Sequence, residues 1–466
     1  MEEIYLKDLI KIVNGRFLIG DPNLSVKSIS IDSRTVRKGQ FFFAIKGKTY
    51  DGHDFIKEAM ERGADGILYS RKDVDFIKPF PNFSSVVKVD NTLLALGEFA
   101  KAYRERFKDL KVVGITGSNG KTTTKEMLSS ILKTKNKTVS NRGNFNNRIG
   151  LPLSLLELDS ETKFGVFEIG TSVYGEIKIL ADILKPDVAV ITNIGFSHLE
   201  TFGSPQGVFK EKRELLESVS EDGFVVLNND DEILKKISHK MYPKVITFAL
   251  YGGADIYANN VILWSDKPRF TLHYGDSSAE IIMPVKGKFN ILNALAAAAT
   301  AFGLGYNIDD VKKGIESFTP PVMRMETFVT QSGVTLINDA YNANPSSTRE
   351  AIQGVCEAYI DSEISLVLGD MLELGANSDE YHFELGNFIN TQNIKSVYLI
   401  GDMTAYTKEA LNKNAVHHSK GMDSLLRNLE QASLNPRSVF LFKASRGMNL
   451  DEVCRKFFTI LERRKK

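Results

Sequence analysis

The segment GITGSNGKTTT at residues 114–124 has the residue types and spacing of a phosphate-binding loop. It lies between the apolar run VVGIT and the helical segment TTTKEMLSSILK, which is the strand–turn–helix context that such a loop requires. Backbone N–H groups of the glycine turn and of the helix N-terminus can surround a polyphosphate. Lys121 is placed to reach the outer phosphates, and the hydroxyl of Thr122 to bind Mg²⁺. The pattern predicts ATP binding, although the strictest form of the loop has a glycine where this chain has Ile115.

Two further polar side chains follow neighbouring predicted strands. Glu168 closes the strand FGVFEI at 164–169, and His198 follows the strand VAVITNI at 188–194. In open α/β sheets ligands bind beyond the carboxyl ends of the strands, so both groups could approach the phosphate loop. A carboxylate and an imidazole suit a divalent cation held beside phosphates. Each residue taken alone is more often a solvated loop residue than a ligand, but their shared location leaves both interpretations open.

A lysine lies on the apolar face of the predicted helix PQGVFKEKRELLESV. Lys212 shares this face with Val208, Leu215 and Val219. A lysine in an apolar stripe is unfavourable unless its ammonium group reaches solvent, is paired or is modified. Two interpretations remain open. Either the ammonium extends into solvent within the charge run KEKRE, or CO₂ has converted the side chain to a carbamate that binds a second metal ion.

Composition excludes several classes of protein. The 466 residues are 42% hydrophobic and 25% charged, and 59 Lys and Arg balance 58 Asp and Glu, which argues against a dedicated nucleic-acid binder. The two cysteines, Cys356 and Cys454, are too few for a disulfide scaffold and fit a reducing cytoplasm. The charged start MEEIYLKDLIKIVNG is not typical of a signal peptide. The apolar run at 291–305 is shorter than the roughly 20 residues of a membrane span, so we expect a buried helix and a cytoplasmic protein.

Strands and helices alternate along most of the chain, which predicts an α/β fold with parallel sheets. We expect three domains: a small α/β N-terminal domain at 1–108, a central P-loop ATPase domain with a parallel sheet at 109–321, and a C-terminal Rossmann-like domain at 322–466. The doublet PP at 320–321 precedes the third domain. The strands expected there are VTLIND, ISLVLGD, SVYLIG and SVFLFKAS.

Longer motifs in all three predicted domains resemble those of the Mur ligase family of bacterial peptidoglycan synthesis. They include SIDSRTVRKGQFFFAIKGKTYDGHDF in the first domain, GNFNNRIGLPLSLL and NIGFSHLETFGSPQGVFKEKRELL in the second, and NDAYNANPSS, LGDMLELGANSDEYH and KASRGMNLDEV in the third. The family form of the phosphate loop, G-x-x-G-x-x-G-K-[ST], also accounts for Ile115. The resemblance covers essentially the whole chain.

The resemblance implies roles for individual residues around ATP. The catalytic residues it implies are Lys121, Glu168, His198 and Lys212. The implied metal site, with two Mg²⁺ ions, consists of Thr122, Glu168, His198 and a carbamylated Lys212, with Lys210 as the neighbouring candidate. The implied ATP-binding residues are Gly117, Ser118, Asn119, Gly120, Lys121, Thr122 and Thr123 in the loop, Asn290 and Asn293 near adenine, and Arg324 and Asp339 in the third domain.

The resemblance also implies residues for the other substrates. Those for a UDP-linked muramoyl-peptide are Ser33 and Arg34 at the uridine end, and Asn144, Asn146 and Asn147 at the peptide. Those for the incoming dipeptide are Lys443, Ser445 and Arg446. The segment TSVYGEI after Glu168 departs from an Ala-Asn pair that is frequent in the family, so no role is carried over to Thr171 or Ser172.

The asparagine-rich motifs favour the branch of the family that adds a dipeptide over the branches that add one amino acid. The reaction implied is ATP-dependent ligation of D-alanyl-D-alanine to UDP-N-acetylmuramoyl-tripeptide through an acyl phosphate, by an enzyme of cell-wall synthesis. A sister ligase that adds one amino acid and a non-catalytic nucleotide-binding regulator are the alternatives. We expect small-molecule partners, no nucleic acid, no integral membrane segment and a monomer.

Overall fold

The computed structural model describes residues 1–47, 49–71, 85–237, 242, 244–263, 267–413 and 415–463. The chain divides into two units. The first comprises Met1–Gly114, Asn136–Thr171 and Glu176–Asp187. The second comprises Ile115–Lys135, Ser172–Gly175 and Val188–Lys466.

The first unit begins with a five-stranded sheet and three helices. Its strands are β1 (Ile4–Tyr5), β2 (Arg16–Gly20), β3 (Ser25–Val26), β4 (Ile29–Ser30), β5 (Phe41–Phe43), β6 (Gly66–Tyr69) and β7 (Ser85–Lys88). Its helices are α1 (Leu6–Ile12), α2 (Ile56–Glu61) and α3 (Thr92–Arg104), with a 3₁₀ turn at Gly52–Phe55. The sheet order is β2-β7-β6-β5-β4, in which only β2 is antiparallel to its neighbour. β1 and β3 form a separate antiparallel pair.

Local sequence explains where these elements begin and end. The phenylalanines of β5 are buried, as the apolar run QFFFAIKG predicts. After α2 the chain turns at Gly63, whose φ of +94° is a conformation that glycine adopts at low cost. The side chain of Asn91 accepts hydrogen bonds from the first amides of α3 and so caps that helix.

The rest of the first unit contains two further strands, two helices and the start of a third strand. Its remaining elements are the start of β8 (Lys111–Thr116), β9 (Thr138–Ser140), α5 (Gly150–Leu155), β10 (Phe164–Glu168) and α6 (Glu176–Leu184). β10 is parallel to β9 and lies between β9 and β8. Glu168 is therefore the last residue at the carboxyl end of β10.

The second unit begins with the end of β8 and the elements of the central region. Its helices there are α4 (Lys121–Leu132), α7 (Leu199–Phe202), α8 (Pro205–Leu216), α9 (Lys288–Gly303) and α10 (Ile308–Glu316), with a 3₁₀ turn at Leu234–Lys236. Its strands are β11 (Val188–Ile191), β12 (Phe224–Asn228), β13 (Val245–Ala249), β14 (Ile256–Ile262), β15 (Arg269–Tyr274) and β16 (Ser277–Ile282). The strand order is β8-β11-β12-β13-β14-β15-β16. β11 to β14 are parallel, and β15 and β16 extend the sheet antiparallel.

The second unit continues with a six-stranded sheet. Its strands are β17 (Glu326–Val329), β18 (Thr335–Asn338), β19 (Glu363–Gly369), β20 (Ser396–Ile400), β21 (Val416–Ser419) and β22 (Ser438–Lys443). Its helices are α11 (Pro345–Ala358), α12 (Ser378–Asn390), α13 (Thr404–Ala410), α14 (Met422–Glu430) and α15 (Leu450–Arg463), with 3₁₀ turns at Gly375–Asn377 and Arg446–Met448. The order is β17-β18-β22-β19-β20-β21, parallel except for β17. The two faces of this sheet carry separate apolar cores, which is typical of a doubly wound domain.

The predicted α/β fold is confirmed, and the apolar run at 291–305 lies mostly within the buried helix α9. The antiparallel strands β15 and β16 were not predicted. Their alternating residues RFTLHY and SSAEII, separated by Gly275 and Asp276, are a hairpin signal that could have been found. In the described ranges of the chain, no helix is long and apolar enough to cross a membrane.

Candidate active site

The predicted phosphate loop lies between β8 and α4 and requires glycine at two positions. Gly117 has a φ of +151° and Gly120 a φ of +81°. A Cβ atom on Gly117 would lie 1.9 Å from Oγ1 of Thr192, and one on Gly120 would lie 2.1 Å from Oδ1 of Asn293. Any other residue would force these neighbours to shift and would strain the backbone, so both positions favour glycine.

The loop is tied to the segment that follows β11. The backbone N–H of Ser118 donates to the carbonyl of Asn193 at 3.0 Å, and that of Asn119 donates to the Asn193 side chain at 2.9 Å. The hydroxyl of Thr192 donates to the carbonyl of Asn119. These contacts use the amides of Ser118 and Asn119 and fix the loop before α4, so the donors that suit a polyphosphate are the first amides of that helix.

Lys121 and Thr122 occupy the first turn of α4. Nζ of Lys121 donates to the carbonyl of Gly117 at 2.9 Å, so its charge lies over the loop. The hydroxyl of Thr122, on a buried residue, accepts a hydrogen bond from Arg324 at 3.1 Å. The two residues predicted to contact the outer phosphates and Mg²⁺ thus lie at one end of the loop.

The two asparagines of α9 that were predicted to contact adenine lie beside the loop. Asn290 and Asn293 are both buried, and the side chain of Asn293 donates to that of Asn290 at 3.3 Å. Asn290 in turn donates to the carbonyl of Lys286 at 2.8 Å. Oδ1 of Asn293 accepts from the hydroxyl of Thr124 at 3.4 Å, and this contact places the pair next to α4.

Arg324 and Asp339 come from the beginning of the six-stranded region. The guanidinium of Arg324 lies 4.1 Å from the ring centroid of Tyr341, a cation–π arrangement, while it donates to Thr122. Asp339 is paired with Nζ of Lys443 at 2.5 Å. Lys443 is buried and also donates to the carbonyl of Asn342 at 3.2 Å. Lys443 therefore contacts a residue predicted to bind the nucleotide, although it was predicted to contact the dipeptide.

Two residues that the sequence did not single out contact the phosphate loop. Asn344 donates from its side chain to Oδ1 of Asn119 at 2.8 Å, and Asn119 donates to the hydroxyl of Ser346 at 3.2 Å. Asn344 is also the N-cap of α11, where its side chain accepts from the amide of Ser347. The start of α11 is thereby joined to the loop. Both residues belong to the motif NDAYNANPSS, which was noted in the sequence without a role for either residue.

His198 contacts a glutamate that was also missed. Nδ1 of His198 lies 2.7 Å from Oε2 of Glu373, which belongs to the loop between β19 and α12. The backbone N–H of Glu200 donates to the carbonyl of Glu373 at 3.2 Å. The motif GDMLELG, which carries Glu373, was noticed in the sequence but no role was predicted for this residue.

Lys212 is buried on α8, with 2% of its surface exposed. The interpretation in which its ammonium extends into solvent is therefore wrong, because the helix face that carries it is covered. Lys210 is exposed, and its Nζ lies 5.8 Å from the ring centroid of Tyr174. Glu211 is buried as well and accepts a hydrogen bond from the backbone of Gly175 at 2.8 Å. Of the two candidate lysines, burial favours Lys212.

Glu168 is buried at the carboxyl end of β10 in the first unit. Its Oε1 accepts a hydrogen bond from the side chain of Asn146 at 2.8 Å. The side chain of Asn141 bridges the backbone of Glu168, accepting from its N–H and donating to its carbonyl, each at 2.9 Å. Asn146, predicted to contact the peptide substrate, thus orients a carboxylate that was predicted to bind metal.

The two other asparagines predicted to contact the peptide substrate differ in their surroundings. The side-chain oxygen of Asn147 accepts from the amides of Ile149 and Gly150 at 3.1 and 2.9 Å and caps the start of α5, whereas Asn144 is exposed.

The candidates at the uridine end are the serine and arginine before the apolar run of β5. Ser33 is buried and donates to Glu58 at 2.8 Å. Arg34 is exposed and pairs with Asp32 at 2.7 Å, which lowers the pKa of the Asp32 carboxyl.

The remaining dipeptide candidates follow β22. Ser445 is buried, accepts from the backbone N–H of Leu372 at 2.8 Å and donates to the carbonyl of Ala343 at 3.3 Å. Arg446 is exposed and lies 3.4 Å from Asp451. Of the three residues predicted to face the dipeptide, only Arg446 presents its side chain to solvent.

Among the described residues, no group of three or more His, Cys, Asp and Glu is arranged to hold a metal ion. The predicted metal set contains only two such residues, Glu168 and His198, and completes the site with Thr122 and Lys212. A hydroxyl and a carboxylate are the hard oxygen donors that Mg²⁺ prefers, and imidazole is a borderline donor. The hydroxyl, the carboxylate and the imidazole therefore fit Mg²⁺ beside a polyphosphate, whereas Lys212 could be a ligand only as a carbamate.

A phosphate loop between a parallel strand and a helix, with residues of a further α/β domain on the loop, defines a P-loop nucleotide-binding protein. Three domain families match the chain: the Mur ligase family catalytic domain at 25–104, the Mur ligase middle domain at 115–301, and the Mur ligase glutamate ligase domain at 323–446. The chain belongs to the Mur ligase family.

Curated relatives match over nearly the full length. The UDP-N-acetylmuramoyl-tripeptide–D-alanyl-D-alanine ligase of Bacillus subtilis (strain 168) is 35% identical, with 96% of this chain and 97% of the relative covered. The ligase of the same name from Escherichia coli (strain K12) is 32% identical, with 98% of each chain covered.

Solved structures agree with this assignment. A crystal structure of MurF from Acinetobacter baumannii has a TM-score of 0.89 at 31% identity, covering 98% of this chain and 99% of that chain. MurF ligase from Thermotoga maritima, in complex with ADP, has a TM-score of 0.83 at 30% identity, covering 94% and 99%. The three-domain α/β architecture predicted from the sequence is confirmed.

Proposed function

We propose that the protein is an ATP-dependent amide ligase that joins D-alanyl-D-alanine to UDP-N-acetylmuramoyl-tripeptide. Its products are ADP, phosphate and UDP-N-acetylmuramoyl-pentapeptide. The observation that carries the proposal is the phosphate loop and its surroundings. The hydrogen-bonded pair Asn290 and Asn293 lies beside the loop, and Arg324 donates a hydrogen bond to the hydroxyl of Thr122. The names of relatives that match over nearly the whole chain supply the substrates.

The reaction must activate a carboxylate, because joining a carboxylate to an amine is unfavourable in water. The terminal carboxylate oxygen of the tripeptide attacks the γ-phosphorus of ATP, ADP leaves, and an acyl phosphate forms. The amine of D-alanyl-D-alanine then attacks the acyl carbon and gives a tetrahedral intermediate. Collapse of this intermediate forms the amide, and the amine loses a proton as phosphate leaves. The protein contributes mainly positioning and charge stabilisation.

The side chains around the loop supply positive charge where two anions must meet. Lys121 lies over the loop, and the guanidinium of Arg324 reaches the same end of α4 from the third domain. Mg²⁺ would offset phosphate charge and orient the transferred group. The residues that would hold it are Thr122, Glu168, His198 and Lys212.

We propose that Lys212 is carbamylated. Its amine would add to CO₂, forming an N–C bond and releasing one proton, and the new carboxylate would be a metal ligand. The burial of Lys212 on α8 supports this, since a lysine withdrawn from solvent must have its charge either paired or removed. Lys212→Ala should abolish phosphate release, and an added short carboxylic acid should restore part of it. Lys210→Ala, two residues away and exposed, is the matched control; full activity of Lys212→Ala without a carboxylate would exclude the carbamate.

The three ligands divide naturally among the three domains. We propose that residues 1–108 bind the UDP-linked substrate through Ser33 and Arg34, and that residues 109–321 bind ATP. Residues 322–466 would bind the dipeptide, with Arg446 the exposed candidate and Lys443 and Ser445 supporting it. We also propose a monomer acting in the cytoplasm, where ATP is available; light scattering after size exclusion tests the monomer.

Phosphate release from Mg-ATP tests the function directly. Release with UDP-N-acetylmuramoyl-tripeptide should depend on D-alanyl-D-alanine, and Lys121→Ala should abolish it. Release that depends on one free amino acid would instead identify a sister ligase. No release with any acceptor would indicate a nucleotide-binding protein without this activity.

A further inference from the structure

Glu373 meets the segment that carries His198 through both its side chain and its backbone. Its Oε2 lies 2.7 Å from Nδ1 of His198, and its carbonyl accepts from the N–H of Glu200 at 3.2 Å. A Cβ atom on Gly375 would lie 3.2 Å from Cα of Glu200, so the loop approaches this segment closely on both sides of Leu374. His198 and Glu373 both have left-handed backbone, with φ of +50° and +62°. Strained residues in mutual contact are typical of functional sites.

The loop that presents Glu373 is anchored within its own domain. The carboxylate of Asp370 accepts from the backbone N–H groups of Asp402 and Thr404 at 3.0 and 2.9 Å. His382 accepts from the backbone of Met371 at 3.0 Å. Ser445 accepts from the next amide, that of Leu372. Three consecutive residues before Glu373 are therefore held by hydrogen bonds within the domain, so the glutamate is presented on a supported loop.

The contact decides which nitrogen of His198 carries hydrogen. An ionised carboxylate only accepts hydrogen bonds, so Nδ1 of His198 must donate to Glu373. In a neutral imidazole the other nitrogen, Nε2, then keeps its lone pair. This is the arrangement in which a carboxylate orients a histidine that binds metal through its second nitrogen. Because 54% of the Glu373 side chain is exposed, the pair contributes little to stability, and orientation is the effect that remains.

We propose that Glu373 is a positioning residue that directs Nε2 of His198 toward the metal site. The inference rests on the proposed function, in which His198 is a metal ligand. Glu373 lies in the third matched domain and His198 in the middle one. The metal site would therefore reach full affinity only when the third domain lies against this segment, which couples its position to metal binding.

The test measures metal binding separately from catalysis. Mn²⁺ is titrated into the full chain with a non-hydrolysable ATP analogue, and free Mn²⁺ is followed by electron paramagnetic resonance. Spin-echo modulation from a coordinated imidazole nitrogen reports whether histidine binds the ion. Glu373→Ala should weaken Mn²⁺ binding about tenfold and reduce the modulation, since removing such a partner typically costs 10- to 100-fold. Glu373→Gln should be intermediate, because its amide oxygen still accepts from Nδ1.

Controls separate positioning from other effects. Glu380→Ala, at an exposed residue of α12, should bind Mn²⁺ as the unaltered protein does. In a His198→Ala background, Glu373→Ala should cause no further loss, and melting temperatures should show that each variant is folded.

Two results would overturn the proposal: Mn²⁺ binding by Glu373→Ala within twofold of the unaltered protein, or imidazole modulation that survives in His198→Ala. Dipeptide-dependent phosphate release by the unaltered protein tests the proposed function independently of both results.

Discussion

Several residues at or beside the candidate site have a strained backbone. Eight non-glycine residues in the described chain have positive φ, and four of them lie at or beside the candidate site: His198, Met323, Met325 and Glu373. Each such residue costs roughly 1–2 kcal/mol, so it persists only where neighbouring contacts hold it. Met323 and Met325 are the sequence neighbours of Arg324, which donates a hydrogen bond to Thr122. Half of the strained residues thus have side chains or neighbours that approach the candidate site, and the other four lie elsewhere.

Gly120→Ala is the sharpest test at the scale of one residue. The new Cβ would collide with Oδ1 of Asn293 as well as straining the backbone. We expect at least about tenfold weaker ADP binding by calorimetry, since even small misplacement of a binding loop is costly. Gly275→Ala is the matched control, because Gly275 has a φ of +54° but no atom within 4 Å of an added Cβ. Equal ADP affinity in both variants would show that the contact with Asn293 is dispensable.

At the scale of elements, one residue at the N-terminus of α11 both caps the helix and contacts the phosphate loop. Asn344 caps the helix and also donates to Asn119 of the phosphate loop. A serine caps a helix as well as asparagine does but is too short to bridge to Asn119.

Substitutions of Asn344 should therefore separate stability from nucleotide binding. Asn344→Ser should keep the melting temperature and raise the KM for ATP. Asn344→Ala should raise the KM for ATP and also lower the free energy of unfolding by about 1 kcal/mol, because the helix cap is lost. Melting curves and ATP titrations of the two variants provide the measurement, and an unchanged KM in both would contradict the role assigned to this contact.

The link between α12 and the loop carrying Glu373 should be sensitive to pH. His382 is fully buried, donates to the carbonyl of Ser378 and accepts from Met371, and desolvation lowers its pKa below the ordinary 6.5. As pH falls below 6.5 the unfolded chain binds a proton that the folded chain does not bind. Stability is therefore lost, by at most roughly 1.4 kcal/mol per pH unit.

Melting temperatures at pH 7.5 and 5.5 measure this effect. The unaltered protein should lose more stability between these values than His382→Gln, which has no titrating group at the position. A loss of the same size in both proteins would mean that other residues account for the pH dependence.

At the scale of the whole molecule, the reactivity of the two cysteines reports on unfolding of the third domain. Burial raises the pKa of Cys356 to about 11 and that of Cys454 to about 12. At pH 8 a thiol with a pKa near 12 has about a thousandth of the thiolate of one near 9. Cys454 is also fully buried on α15, so its alkylation requires unfolding.

Iodoacetamide labelling followed by mass spectrometry should therefore modify Cys356 slowly and Cys454 more slowly still. Saturating ADP should slow labelling of Cys454 further, because a ligand that binds only the folded state stabilises it. Labelling of Cys454 at the rate of an exposed thiol, unchanged by ADP, would contradict this expectation.

Features that depend on neighbouring residues could be predicted from the sequence. The phosphate loop, the strands that precede Glu168 and His198, and the apolar face that carries Lys212 are set by local spacing, and each lies where its pattern indicates. The hairpin of β15 and β16 was missed although its alternation was visible, because short strands between helices have a weak signal.

Only the tertiary structure decided which side chains meet across the site. Asn344 contacts Asn119 across 225 residues of sequence, and Glu373 contacts His198 from a different domain. The tertiary structure also showed that Asn147 caps α5 and that Asn146 donates a hydrogen bond to the carboxylate of Glu168. Local patterns specify helices and strands because their hydrogen bonds join near neighbours. The partner of a polar side chain depends instead on how distant elements pack, and no local spacing in the sequence records that.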